Sequence, residues 1–123
     1  MTTETKRQKQ VAGLINQEMN DIFLRMGLNM MDGGMVSIAS VKITPDLYDA
    51  RVYLSMFKVA DSFEVLRKIN DRNKDIRLEL GKRVRHQLRS IPELKFFIDD
   101  TLDYVDKIED LFKQIKKDEE KNG

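Results

Sequence analysis

The stretch VKITPDLYDARVYLS, residues 41–55, decides the fold of this chain. Its first part is rich in β-branched residues, and apolar residues hold every even position from 50 to 56. Between the two parts, Pro45 presets its φ angle and Asp46 can accept a hydrogen bond from the nearby backbone. The stretch therefore predicts two antiparallel strands, over residues 35–44 and 50–57, with one face packed on a core.

Helical spacing of apolar residues flanks this strand pair on both sides. Residues 6–26 predict a first helix that Thr3 or Thr5 could cap, and Asp61-Ser62 predicts the start of a second helix over residues 63–70. A third helix, which Asn73 or Asp75 could cap, is expected to run to about residue 90, before Pro92.

A third strand over residues 94–99 and a last helix from Thr101 to about residue 115 complete the pattern. The order is α-β-β-α-α-β followed by a C-terminal helix. It predicts an α+β domain with a three-stranded sheet and helices packed on one face. We expect a single domain over residues 1–123, with an ordered core at about 4–115 and a polar tail at 116–123.

Composition excludes several functional classes. The chain has 123 residues, no cysteine and one histidine, His86, so a thiol nucleophile and a cysteine-bound metal are excluded. No phosphate-binding glycine loop or membrane-spanning run occurs. We therefore expect a cytoplasmic protein that has no catalytic activity, no metal and no cofactor and does not enter a membrane.

Charge is distributed unevenly along the chain. The net charge is +1 over residues 1–60, +4 over residues 61–92 and −4 over residues 93–123. The basic middle fits an element that binds a polyanion beside an acidic tail. Two solvated helix faces of opposite sign are the alternative that charge alone leaves open.

The basic middle concentrates on the third predicted helix. Residues 81–92 carry four Lys or Arg residues, one His and no acid. On a helical projection most of them fall opposite the apolar side, where they could meet a phosphate backbone. Lys6, Arg7 and Lys9 form a second cluster at the first helix's positive end, where cations are unfavourable without a partner.

Three segments carry a family resemblance. They are residues 6–26, the strand-turn-strand stretch at 41–55, and residues 76–101 with IRLELGKRVR, IPELKF and DDT. Over residues 4–112 the chain resembles the ribosome-binding factor A family of bacterial assembly factors for the small ribosomal subunit.

This resemblance implies a type II KH-like fold without a GxxG loop and without enzymatic activity. It implies a monomer that binds 16S rRNA in free 30S subunits or their precursors, supports rRNA end processing and growth in the cold, and does not act on DNA. Ribosomal proteins and a releasing GTPase are further candidate partners. The family's Ala-x-Gly kink is replaced here by Arg72-Asn73-Lys74, which puts helix packing there in question and adds two cations.

Two functional hypotheses follow. The first is RNA binding through the basic residues. The second is a protein–protein adaptor that uses the acidic C-terminal helix or the open sheet face; a generic binder of double-stranded RNA is less well supported. The predicted RNA-binding residues are Lys6, Arg7, Lys9, Arg72, Lys74, Lys82, Arg83, Arg85, His86 and Arg89.

Overall fold

The structure, a computed structural model, describes residues 4–99. Three helices pack on one face of a four-stranded sheet of order β1-β2-β3-β4. The helices are α1 (Lys6–Arg25), α2 (Ser62–Asp71) and α3 (Asn73–Val84), and the strands are β1 (Met30–Met31), β2 (Gly34–Ile43), β3 (Asp49–Phe57) and β4 (Glu93–Ile98). The α+β class and the order α-β-β-α-α-β are confirmed. The predicted C-terminal helix lies outside the described residues.

The sheet has one more strand than predicted. The two-residue β1 pairs with the start of β2 through the turn Asp32-Gly33, in which both residues have positive φ angles. Gly34 follows, and a β-carbon there would overlap the backbone of residues 57–59. A strand of two residues gives no alternation from which the sequence could predict it.

A β-bulge interrupts the alternation of side chains in β2. Val36 and Ile38 have one parity and Val41 and Ile43 the other, yet all four are buried. The pairing of β2 with β3 shifts between Ile38 and Ser40, and one extra residue turns the following side chains to the opposite face.

The core lies between the sheet and the helices. Ile15 and Met19 of α1, Ile76 and Leu80 of α3 and Val52 of β3 are fully buried. Because β4 pairs with β3 in parallel, the chain must cross from one end of the sheet to the other, and α2 and α3 form that crossing. This layer of helices leaves the opposite sheet face open.

The caps of the first two helices agree with the sequence prediction. Thr5 and Gln8 form a reciprocal capping box at the start of α1. The Gln8 side chain also donates to the carbonyl of Ile43 at 2.9 Å, which ties α1 to the end of β2. Asp61 caps α2 by accepting from the amide of Glu64.

The cap predicted for α3 is wrong. The helices α2 and α3 are separated only by Arg72, which has φ −96° and ψ 6° and makes no side-chain cap. Asn73 instead donates from Nδ2 to the carbonyl of Leu94 at 2.8 Å. The break between α2 and α3 is therefore present although Arg72-Asn73-Lys74 replaces the small residues of the family's kink. The Asn73 side chain fixes this break to β4.

The predicted end of α3 near residue 90 is also wrong, because α3 ends at Val84. The amides of Gln87 and Leu88 both bond to the Val84 carbonyl and close a turn there. Six more helical residues would carry the chain about 9 Å further along the helix axis. The chain must instead return to place Glu93 beside Asp49, where β4 begins.

Candidate nucleic-acid interface

A groove of about 990 Å³ runs along the exposed side of α3 and the edge of β4. Leu78, Gly81, Ile91 and Leu94 supply its uncharged surface. Four cations line it: Lys74, Arg77, Lys82 and Arg85. We call this feature the α3 groove. It brings together three of the predicted RNA-binding residues, namely Lys74, Lys82 and Arg85.

The cations of the α3 groove differ in how firmly they are held. Arg77 donates to the carbonyls of Pro92 and Ile91 at 3.2 and 2.7 Å, so its guanidinium fixes the chain that leads into β4. Lys82 makes only an exposed ion pair with Glu79 at 3.6 Å, which contributes little to stability. Lys82 can therefore exchange that partner for a phosphate at low cost.

Carboxylates also line the α3 groove. The lining holds three acids, Asp71, Asp75 and Glu93, and four cations, so its net charge is +1. Asp75 lies 3.5 Å from Arg72, which is not itself a lining residue. Asp71 and Asp75 flank Lys74 in the sequence, so we expect an anionic ligand to be bound more weakly there than near Lys82 and Arg85.

Arg83 occupies a different environment from its neighbours. Its guanidinium donates to the carboxylates of Asp21 at 2.6 Å and Glu18 at 3.2 Å, and its side chain is 21% exposed. Hydrogen bonding to Asp21 raises the pKa of Arg83 above its usual value. Arg83 therefore ties α3 to α1, and the structure does not bring it into the α3 groove.

Arg7 and Arg89 meet in a second cleft, between α1, the β2–β3 turn and the segment after α3. Arg7 comes from the first predicted cluster and Arg89 from the basic middle, so the fold joins two groups that are 82 positions apart. Lys6 and Lys9 are exposed on α1. His86 is exposed beyond the end of α3, where its Nε2 accepts from Arg85 Nε at 3.3 Å.

Sequence reasoning missed a row of cations on the open sheet face. Lys42, Arg51 and Lys95 are register partners across β2, β3 and β4. The next row holds Tyr53 and Phe97, whose rings stack with centroids 5.5 Å apart. In the sequence the cation row shows only as shared strand parity. Recognising it also required knowing that β4 pairs with β3 in parallel, which sets Lys95 beside Arg51.

Two other kinds of feature are absent from residues 4–99. In this range no group of three or more His, Cys, Asp or Glu side chains is placed to hold a metal ion. None of the three described helices is long and apolar enough to cross a membrane.

Comparison with known proteins gives the family. The family model described as ribosome-binding factor A matches residues 7–112. The chain belongs to the ribosome-binding factor A family. Curated ribosome-binding factor A proteins include one from Cytophaga hutchinsonii that is 39% identical over 120 residues, covering 95% of this chain and 90% of the relative. Another, from Flavobacterium psychrophilum, is 41% identical over 107 residues and covers 86% and 82% of the two chains.

Solved structures of the family have the same fold. The crystal structure of ribosome-binding factor A from Thermus thermophilus gives a TM-score of 0.63 at 15% identity, covering 74% of this chain and 94% of that one. A Thermotoga maritima solution structure, described as a putative ribosome-binding factor A, gives 0.61 at 18% identity, with 79% and 91% covered. A homology model of the Thermus protein, fitted into a cryo-electron microscopy map of its complex with the 30S subunit, gives 0.59 at 16% identity, with 79% and 96% covered.

Proposed function

We propose that this chain binds immature, free 30S subunits through 16S rRNA and supports late maturation of the subunit and processing of its rRNA, without catalysis. Family membership indicates the ribosome as partner, since the Thermus relative was fitted into a 30S complex. The α3 groove is the observation that carries the RNA assignment. It places Lys82 and Arg85 on an open surface beside Lys74, with Arg77 holding the wall rigid.

The mechanism requires binding alone. A fixed groove would hold rRNA phosphates in one arrangement, and it would shift the RNA between conformations only by its difference in affinity for them. The core behind α3 includes the fully buried residues Ile76, Leu80 and Val84. This packing holds α3 in place, so its cations keep their positions when RNA binds. We expect a cytoplasmic monomer that sediments with free 30S subunits more than with complete ribosomes.

The test uses a triple variant in the α3 groove, Lys74→Gln, Lys82→Gln and Arg85→Gln. Each lost phosphate contact lowers the slope of log affinity against log salt by somewhat less than one unit. We therefore expect weaker binding to 16S rRNA, a slope flatter by roughly two units, and nearly unchanged thermal stability. Fluorescence titrations at several salt concentrations measure both the affinity and its salt slope, and thermal unfolding measures the stability.

The matched control changes the same number of cations elsewhere. Lys113, Lys116 and Lys117 lie in the acidic final segment of the sequence, and their triple change to Gln should leave the salt slope in place. Equal weakening by both triple variants would mean that the effect follows total charge and not the groove.

The adaptor function remains the second candidate, because the open sheet face has an apolar end. Met30 pairs with Met35 and Met35 with Phe57, and their side chains are 59%, 56% and 62% exposed. Such a row suits contact with a ribosomal protein. Binding of isolated 30S ribosomal proteins that is lost on Met35→Ser would favour the adaptor. Binding of protein-free 16S rRNA that is lost in the α3 groove triple variant favours RNA.

A further inference from the structure

The cleft that joins Arg7 and Arg89 has features that phosphate binding alone does not explain. Its volume is about 420 Å³, and Tyr48 stands at its edge with 66% of its surface exposed. Val11 and Leu88, both buried residues, line it from below. An apolar floor, an exposed ring and two guanidinium groups thus meet in one place, which we call the Tyr48 cleft.

The backbone of Tyr48 is fixed at both ends. Its amide donates to Asp46 Oδ1 at 3.0 Å, and the same oxygen accepts from the Thr44 hydroxyl at 2.6 Å. Its carbonyl accepts from the amide of Glu93 at 2.7 Å. The turn is therefore anchored to β4, and it presents the ring to solvent from a rigid base.

The guanidinium groups of the Tyr48 cleft are available to a ligand. Arg7 reaches only the carbonyl of Gln87, at 3.5 Å, and neither arginine forms an ion pair within residues 4–99. Asp46 is the one acid in the lining, and both its partners, Thr44 and Tyr48, belong to its own turn. The cleft thus offers two cations to one internally bonded carboxylate.

We propose that the Tyr48 cleft binds an unpaired nucleotide of an RNA strand, with the base stacked on Tyr48 and adjoining phosphates on Arg7 and Arg89. Unpaired bases are recognised by stacking on aromatic rings, with basic groups tracking the backbone. A duplex offers no free base face and would leave the exposed ring without a role. This assignment rests on the proposed function, because it takes RNA as the ligand.

The position of the Tyr48 cleft beside the α3 groove supports a strand rather than a free nucleotide. Segment 85–92 lines both, with Arg85 in the groove and Arg89 in the cleft. These cations are four positions apart in the sequence, so their Cα atoms lie within about 14 Å of each other. One RNA strand can therefore reach both sites.

The experiment measures affinity for a 12-nucleotide single-stranded RNA and for a 12-base-pair blunt RNA duplex. For Tyr48→Ala we expect roughly 10-fold weaker binding of the single strand, the effect of losing one base stack, and duplex binding within two-fold of wild type. Tyr48→Phe should restore single-strand binding. Phe63→Ala is the matched control, since Phe63 is an aromatic residue of α2 that is 78% exposed and lines neither the α3 groove nor the Tyr48 cleft, and it should leave both affinities unchanged.

The outcomes separate this inference from the proposed function. If the α3 groove triple variant weakens both RNAs while Tyr48→Ala weakens neither, the cleft assignment is overturned and the proposed function stands. Equal weakening of strand and duplex by Tyr48→Ala also overturns it. If the wild-type protein binds neither RNA, both proposals fail. Saturable binding of uridine monophosphate as tight as that of the 12-mer would make the cleft a nucleotide pocket and overturn the strand assignment.

Discussion

The guanidinium group of Arg83 lies 2.6 Å from the carboxylate of Asp21 and ties α3 to α1. Glu18, one turn earlier on α1, lies 3.2 Å from the same Arg83 nitrogen. Hydrogen bonds from Arg83 first, and then from Arg25, lower the pKa of Asp21. This ion pair gives Arg83 a structural role within a sequence run, Lys82 to Arg85, that otherwise reads as one basic surface.

Neighbouring variants at this point should have opposite effects. We expect Arg83→Gln to lower the melting temperature, because Asp21 and Glu18 then lose their shared cation, and to leave the salt dependence of RNA binding in place. Lys82→Gln should weaken RNA binding and leave the melting temperature nearly unchanged, since its ion pair with Glu79 is exposed. Thermal unfolding and salt titrations of both variants provide the check.

The reverse pattern would contradict the assignment of these two residues. If Arg83→Gln kept its stability and lost RNA affinity, Arg83 would be a contact residue, as the sequence suggested. The sequence could not distinguish Arg83 from Lys82, because the distinction depends on where α1 packs, and α1 is more than 55 positions away.

Two glycines should respond oppositely to alanine. At Gly34 a β-carbon would overlap the carbonyl oxygen of Phe57 and the backbone of Lys58 and Val59. We expect Gly34→Ala to destabilise the fold by about 1–3 kcal/mol, the usual cost of overpacking. At Gly81, within α3, a β-carbon would meet only Ile91, at an ordinary 3.5 Å. Gly81→Ala should stabilise by up to about 1 kcal/mol, because alanine favours a helix over glycine.

Urea unfolding midpoints of the two variants test this pair. The midpoint should fall for Gly34→Ala and rise for Gly81→Ala. The dependence of the unfolding free energy on urea concentration should stay the same in both variants. A destabilised Gly81→Ala variant would mean that Ile91 cannot accept the added methyl group and that the wall of the α3 groove is more tightly packed than the contact distance implies.

Local signals were enough to predict most of the fold. The alternation of residues 50–56 indicated β3, the Asp46 turn indicated the hairpin, and Thr5 and Asp61 indicated two helix starts. These features depend on residues within a few positions of each other. The end of α3 depends on where β4 must pair with β3, and the bulge in β2 appears in the sequence only as a change of parity between Ile38 and Val41.

The candidate site was predictable in part for the same reason. Lys82 and Arg85 are three positions apart at the end of α3, so helical spacing grouped them in advance, whereas Lys74 was predicted from the departure at the family's kink. The meeting of Arg7, Tyr48 and Arg89 joins three separate segments of chain. They come together because α1 and the segment after α3 both lie against the β2–β3 turn.

The Asn73 side chain should stabilise the fold by about as much as one hydrogen bond does. Its side chain donates to the carbonyl of Leu94, on the strand at the edge of the sheet. We expect Asn73→Ala to lower the free energy of unfolding by about 1 kcal/mol, and Lys74→Ala, at an exposed neighbouring position, to change it little. Hydrogen exchange provides a second measurement, because faster exchange should appear in β4 in the first variant alone. If the amides of β4 exchanged equally fast in both variants, Asn73 would not be the residue that anchors the break between α2 and α3.

The carboxylate of Asp46 should make stability depend on pH in the acid range. Hydrogen bonds from the Thr44 hydroxyl first, and then from the Tyr48 amide, lower the pKa of Asp46 in the folded chain. A carboxyl group whose folded pKa is depressed stabilises the fold fully above its unfolded pKa of about 3.9 and loses this effect as pH falls through the folded value. Asp46→Asn should therefore be less stable than wild type at pH 7, and the difference should shrink below about pH 5. Unfolding curves at pH 7, 5, 4 and 3 measure this convergence. RNA affinity should not fall at pH 7, because the amide oxygen of the substituted side chain can still accept from the Tyr48 amide. A variant that keeps its melting temperature at every pH but loses RNA binding would make Asp46 an RNA contact and not the support of the turn.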